Sequence, residues 1–140
     1  MQNIFVYGTL LLPAILERLT GKSFKTSSAV LSGYKRFCVI NCDYPAIIRL
    51  DDSKTMGLII EKTDDSTLAV LSFYEGDEYE IRKVIVLLNG KPEDALTFVW
   101  VKGNEYLEDK EWDLTNFEIN SLEHYLNEVI PETLEAFFKK

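Results

Sequence analysis

The sequence predicts an α+β (mixed α/β) fold: a small curved sheet or β-barrel with surrounding helices. Three observations predict it. Five or six short β-forming runs are set off by turn residues. The two helical patterns lying among them do not alternate with strands regularly enough for a doubly wound sheet. The last third of the chain reads as helix.

The elements follow in order along the chain. Ile4-Phe5-Val6-Tyr7 is a short buried strand that stops at Gly8. Pro13 suits a first helical turn, where its missing N–H costs nothing. Ala14, Ile15, Leu16 and Leu19 then supply apolar contacts until Gly21. Residues 29–39 are β-like, with Tyr34 and Phe37 as their aromatics. In "CDYPAIIRL", Pro45 turns the chain into Ala46-Ile47-Ile48, and Met56 to Glu61 forms another strand.

Residues 63–74 read as a helix. Thr63 and Ser66 offer N-cap chemistry, Leu68, Leu71 and Tyr74 recur at a spacing of three, and Gly76 ends the run. Tyr79 to Leu88 and Ala95 to Lys102 are strands joined by a hairpin turn at "LNGKP". Thr115-Asn116-Phe117-Glu118 fits a capping box for the terminal helix. Leu122, Tyr125, Leu126, Val129 and Ile130 share one face, Pro131 breaks or kinks the helix, and Leu134, Phe137 and Phe138 resume the stripe.

Composition narrows the function. The 140 residues suit one domain, 1–140, with a core that needs neither disulfides nor a metal. A net charge of −8 disfavours phosphate backbones, and basic residues gather in nothing larger than pairs, Lys139-Lys140 among them. No nucleic-acid partner is expected, and no membrane partner, since anionic surfaces are disfavoured for the same reason. No run approaches the ~18 apolar residues of a membrane span. The N-terminus lacks the basic start of a signal peptide, and Gly8 and Pro13 interrupt its apolar run.

A cytoplasmic chain with two reduced thiols is therefore expected. Cys38 and Cys42 would lie ~13 Å apart on a single strand, too far to bridge. With one histidine, a zinc site is not expected either.

Two stretches could carry chemistry. In "VYGTL", residues 6–10, Gly8 permits a positive φ or a close backbone approach. The amides of Gly8, Thr9 and Leu10 then lie between a strand end and a helix start, a place suited to an anion. In "SFYEGDEYEIRKV", residues 72–84, Glu75 stands in the last turn of a helix, at the negative end of its dipole. Phe73, Tyr74 and Tyr79 surround it, and Asp77 and Glu78 follow. Each feature disfavours the ionised carboxylate and raises its pKa, as a general acid/base requires.

Taken in order, "YGTL" at 7–10, "YPAI" at 44–47, "FYEGDEY" at 73–79 and "FVWV" at 98–101 resemble the gamma-glutamylcyclotransferase-like family. That family includes gamma-glutamylamine cyclotransferases and plant avirulence-induced proteins. "EWDLTNFE" at 111–118 resembles the Trp-led helix of plant and bacterial members. The resemblance implies a small mixed β-barrel with helices around it. It implies that Tyr7, Gly8, Thr9 and Leu10 bind the glutamyl end of a small-molecule γ-glutamyl substrate through backbone amides, with Tyr44 and Tyr79 beside it. It also implies that Glu75 is the catalytic residue.

The reaction so implied closes the α-amine onto the γ-carbonyl, releasing 5-oxoproline and an amino acid or amine. It needs no metal or organic cofactor. The alternative is a non-catalytic module on the same fold that binds a small carboxylate or a partner.

Departures from the family pattern are visible. Tyr79 and Arg82 are separated by two residues where many members read Tyr-x-Arg, so Arg82 would face away from Tyr79 unless a bulge intervenes. Ser72 stands where relatives often carry Asp. Trp100 and Trp112 read as core, His124 as a surface residue and 107–113 as a solvated loop. Nothing in the spacing selects Arg36 or Arg49, and the sequence leaves the oligomeric state and the leaving amine open.

Overall fold

A computed structural model describes residues 1–139, so the second member of the terminal lysine pair, Lys140, lies outside it. The strands are β1 (Gln2–Val6), β2 (Thr26–Val39), β3 (Pro45–Thr63), β4 (Tyr79–Leu88), β5 (Lys91–Trp100) and β6 (Leu107–Glu108). Between them lie α1 (Pro13–Thr20) and α2 (Asp65–Glu75). Then come α3 (Leu114–Asn120), α4 (Leu122–His124), a π-helical stretch (Tyr125–Val129) and α5 (Ile130–Phe138).

The strands run β3-β1-β5-β4-β2-β6 across the sheet, and a further β3–β2 pairing closes the first five into a barrel. Every pairing is antiparallel except β1 with β5. Closure removes the exposed strand edges that an open sheet would present.

Strand alternation builds two cores. Phe5, Leu31, Ile47, Ile59, Val86 and Val99 point into the barrel. Their neighbours Ile4, Val6, Ile60 and Phe98 point out, against Ile15 and Leu16 of α1, Leu71 of α2 and Phe117 of α3. Period-two alternation is what lets one strand feed both layers. At ~1.5–3 kcal/mol for each large apolar side chain buried, the outer layer holds α2 against the barrel wall through Leu71, Leu68 and Tyr74. Trp100 and Trp112 are core, as their size suggests.

Several local expectations are corrected. The two runs at 45–48 and 56–61 are parts of one strand, β3, paired with β2 from Pro45 to Ile60. Opposite Gly33 the register shifts and residues 50–53 bulge out, which is why polar residues interrupt the pattern there. The cap of α2 is Asp64, which accepts from the Thr67 N–H at 2.8 Å and the Ser66 hydroxyl at 3.0 Å. Thr63 is instead buried in β3. Asp113, not Thr115, caps α3, accepting from the N–H of Thr115 and Asn116.

Residues 107–108 pair with β2 rather than forming a loop throughout. The hairpin forms at Asn89-Gly90, both at positive φ, but β5 starts at Lys91 and ends at Trp100. Pro131 neither breaks nor ends the terminal helix. The π-helical stretch absorbs its missing N–H, with Ile130 N–H bonding the Tyr125 carbonyl. Cys42 lies in the β2–β3 turn and not on a strand with Cys38, and both thiols are free. Among the described residues, no helix is long and apolar enough to cross a membrane.

Candidate active site

Glu75 ends α2, four residues after the fully buried Leu71, and so lies on the inward side of that helix. Gly76 follows at φ 83°, a left-handed conformation that stops the helix and turns the chain toward β4. Helix position alone thus carries a carboxyl group inward. Burial pushes the Glu75 carboxyl up to about 8, since the charged form loses its hydration. Asp77 and Glu78, expected to add to this, are not among the causes. Among the described residues, no hydrogen bond or ion pair engages the Glu75 carboxyl.

This carboxyl borders a cavity of about 170 Å³. Thr9 from the first loop, Tyr44 from the β2–β3 turn and Tyr79 from β4 line it too. Tyr74 and Glu78 flank Glu75 in the chain and complete that side. Tyr125, Val129 and Thr133 bring the C-terminal helices to the remaining wall. Among the described residues, the wall carries no Lys, Arg or His. Larger hollows occur elsewhere, one of about 440 Å³ beside Cys38, Cys42 and Trp112. Another of about 750 Å³ lies between Leu31, Arg49 and Lys83. Neither is lined by a buried, unpaired acid, and the small cavity is the one with the means for proton transfer.

The hydroxyls of the cavity are held in place. Thr9 and Tyr74 share a hydrogen bond of 2.8 Å. Tyr79 donates to the Pro45 carbonyl at 2.7 Å, Tyr44 to the Glu78 carboxylate at 3.3 Å and Tyr125 to Asp43 at 2.7 Å. Burial first raises the pKa of Tyr79 and Tyr125; the Tyr7 phenol and then Glu75 add to it at Tyr79, and the Asp43 hydrogen bond adds to it at Tyr125. These phenols stay protonated and their donors are already used. Among the tyrosines, only the pair shared by Thr9 and Tyr74 leaves a proton to spare.

The loop residues divide by role. Thr9 faces the cavity. The Tyr7 ring is buried inside the barrel, and its hydroxyl donates to the Phe98 carbonyl at 2.6 Å. Leu10 packs into the outer core. Gly8 has φ −128°, so the alternative of a positive φ is not realised. The close approach is: a Cβ there would stand 2.9 Å from Pro45 Cγ. The N–H groups of Thr9 and Leu10 open a short 3₁₀ turn (Thr9–Leu11) and have no partner within it.

Arg36 pins the loop from behind, donating to the Tyr7 carbonyl at 2.9 Å and the Met56 carbonyl at 3.1 Å. Arg82 pairs outward with Glu80 at 3.3 Å, because β4 keeps an unbroken register against β5 and no bulge turns it. His124 is exposed and bonds Glu128 at 2.8 Å.

Tyr125, Val129 and Thr133 were not legible as site residues. The first two belong to an apolar stripe whose spacing says only that one face is buried. Tyr74 and Glu78 could have been found from their adjacency to Glu75. Arg36 could not, because its partner is 29 positions away.

The model of a family described as gamma-glutamyl cyclotransferase, AIG2-like, matches residues 4–114. AIG2-like protein D of Arabidopsis thaliana is 32% identical over 129 residues, covering 90% of this chain and 85% of that protein. A solution structure from Arabidopsis thaliana matches with a TM-score of 0.71 at 30% identity, covering 96% of this chain and 82% of the other. A structure named gamma-glutamyl cyclotransferase matches at a TM-score of 0.62 and 14% identity, covering 99% of each chain, a likeness of fold alone.

Proposed function

Since the chain belongs to the gamma-glutamyl cyclotransferase, AIG2-like family, we propose that it is a γ-glutamyl cyclotransferase with Glu75 as its general base. The observation that carries this reading is the Glu75 carboxyl itself. It is unpaired, raised to about 8 by burial, and shares a cavity with the first loop. A base with a pKa near the working pH is efficient in both directions of proton transfer.

In the reaction, the Glu75 carboxylate takes a proton from the α-ammonium of the substrate. The freed nitrogen attacks the γ-carbonyl carbon and closes a five-membered ring. Glu75, now protonated, gives its proton to the departing nitrogen as the old amide bond breaks. The ring nitrogen sheds its second proton, and the released amine ends as its ammonium form. The products are 5-oxoproline and an amino acid or amine.

Thr9 and Leu10 N–H groups hold the α-carboxylate. With no cation among the described residues of the wall, backbone donors are what that anion has. The loop also bends the chain so that amine and carbonyl meet. No metal or organic cofactor enters a step.

A panel of γ-glutamyl amino acids, peptides and amines, assayed for 5-oxoproline by mass spectrometry, tests the reading. Release of 5-oxoproline from at least one is expected. Calorimetric binding of several with release from none would support the binding module instead.

A further inference from the structure

The C-terminal helices lie beyond residue 114, where the family match ends, yet they supply part of the cavity wall. Resting on the cyclotransferase reading above, we propose that Val129 determines which leaving amines the site accepts. A volume of about 170 Å³ falls below the ~300–1,000 Å³ of pockets that enclose a drug-sized ligand. The glutamyl half alone fills such a space, and the leaving amine must pass out at its open side. Tyr125 is buried and tied to Asp43, whereas Val129 and Thr133, one and two helical turns on, are partly exposed. Both line the cavity and keep part of their surface toward solvent.

The helix is built to place them there. Over eight residues an unbroken α-helix would rotate Thr133 about 80° away from Tyr125. The π-helical stretch takes up one extra residue and brings the two back within about 20°. Tyr125, Val129 and Thr133 thereby share one side. Thr133 donates its hydroxyl to the Val129 carbonyl at 2.7 Å, which fixes this turn of backbone. The Val129 side chain is thus a β-branched wall held at a set distance, and its size limits the group that can leave beside it.

The test compares γ-glutamyl-methylamide with γ-glutamyl-benzylamide, two alkylamine leaving groups that differ chiefly in bulk. The ratio of their kcat/KM values is measured on one preparation, so a general loss of folded protein cancels. Val129→Ala is expected to raise the benzyl-to-methyl ratio about tenfold and Val129→Phe to lower it by a similar factor, the scale of a pocket changed by one or two carbons. A ratio unmoved in both variants overturns the proposal while leaving the cyclotransferase reading standing. Failure of the unsubstituted chain to release 5-oxoproline from either amide overturns the proposal, and only failure across the whole γ-glutamyl panel overturns the cyclotransferase reading with it.

Discussion

The Thr9 and Tyr74 hydroxyls lie 2.8 Å apart although 65 positions separate the two residues. This single bond fastens the first loop to the last turn of α2, one residue before Glu75. It converts two short sequence signals into one site. Thr9→Ala and Tyr74→Phe should each lower activity by less than about tenfold, since the loop works through its amides. The two losses should not add, because either change removes the same bond. A double-mutant cycle on kcat/KM checks this, and strict additivity would contradict the coupling.

Glu75→Gln keeps the shape of the side chain and removes the base. Turnover should fall at least ~10²-fold, while substrate binding and the far-ultraviolet circular dichroism spectrum stay close to those of the parent. Substantial 5-oxoproline formation by this variant would take the role away from Glu75.

The raised carboxyl predicts two pH effects of opposite sense. Activity needs the ionised base, so kcat/KM should climb through a midpoint near pH 8. Stability runs the other way. Between an unfolded value near 4.5 and a folded value of about 8, the native state holds the proton more tightly than the unfolded chain. Stability contributed by the neutral carboxyl is therefore complete below ~4.5 and lost as pH rises through 8, by about 1.4 kcal/mol per pH unit. Urea melts from pH 5 to 9 should show this decline in the parent and a shallower one in Glu75→Gln.

Gly8→Val should be severe. A Cβ at this position would stand 2.9 Å from Pro45 Cγ and 3.0 Å from Cδ, in a proline ring that has little room to yield. Either the loop or the Pro45 turn must shift, at a cost of roughly 1–3 kcal/mol, and the amides of Thr9 and Leu10 move with it. Loss of most activity with a raised KM is expected. Normal turnover would show that the loop does not hold the substrate.

Tyr79→Phe removes the donor to the Pro45 carbonyl and leaves that partly buried oxygen unpaired. A stability loss of ~1–2 kcal/mol is expected, read from denaturant midpoints, with activity falling because Pro45 also backs Gly8. If Tyr79→Phe melts like the parent, the bond contributes nothing to the site.

Local chemistry made much of this fold legible in the sequence. Pro13 and Gly21 bound α1, Gly76 stops α2, and the "NG" dipeptide makes the hairpin, because each acts through its own backbone geometry. The odd position of Glu75 was legible for a related reason: an acid at a helix C-terminus, four residues after an apolar position, contradicts local preference. Which strands close the barrel was not legible. It depends on the β2–β3 and β1–β5 pairings, and no residue within either strand encodes its distant partner.

The caps were misplaced by one residue in α2 and two in α3, for a smaller reason. Asp64 adjoins Thr63 and Asp113 stands two before Thr115, and polar residues so close offer competing caps that only the packed helix axis decides between. What the sequence by itself determined, then, was the kind of each element and the residue most suited to move a proton. Tertiary structure alone decided that Thr9, Glu75 and Val129 border one cavity. It decided too that the Glu75 carboxyl loses much of its hydration, because burial is set by neighbours brought from remote parts of the chain.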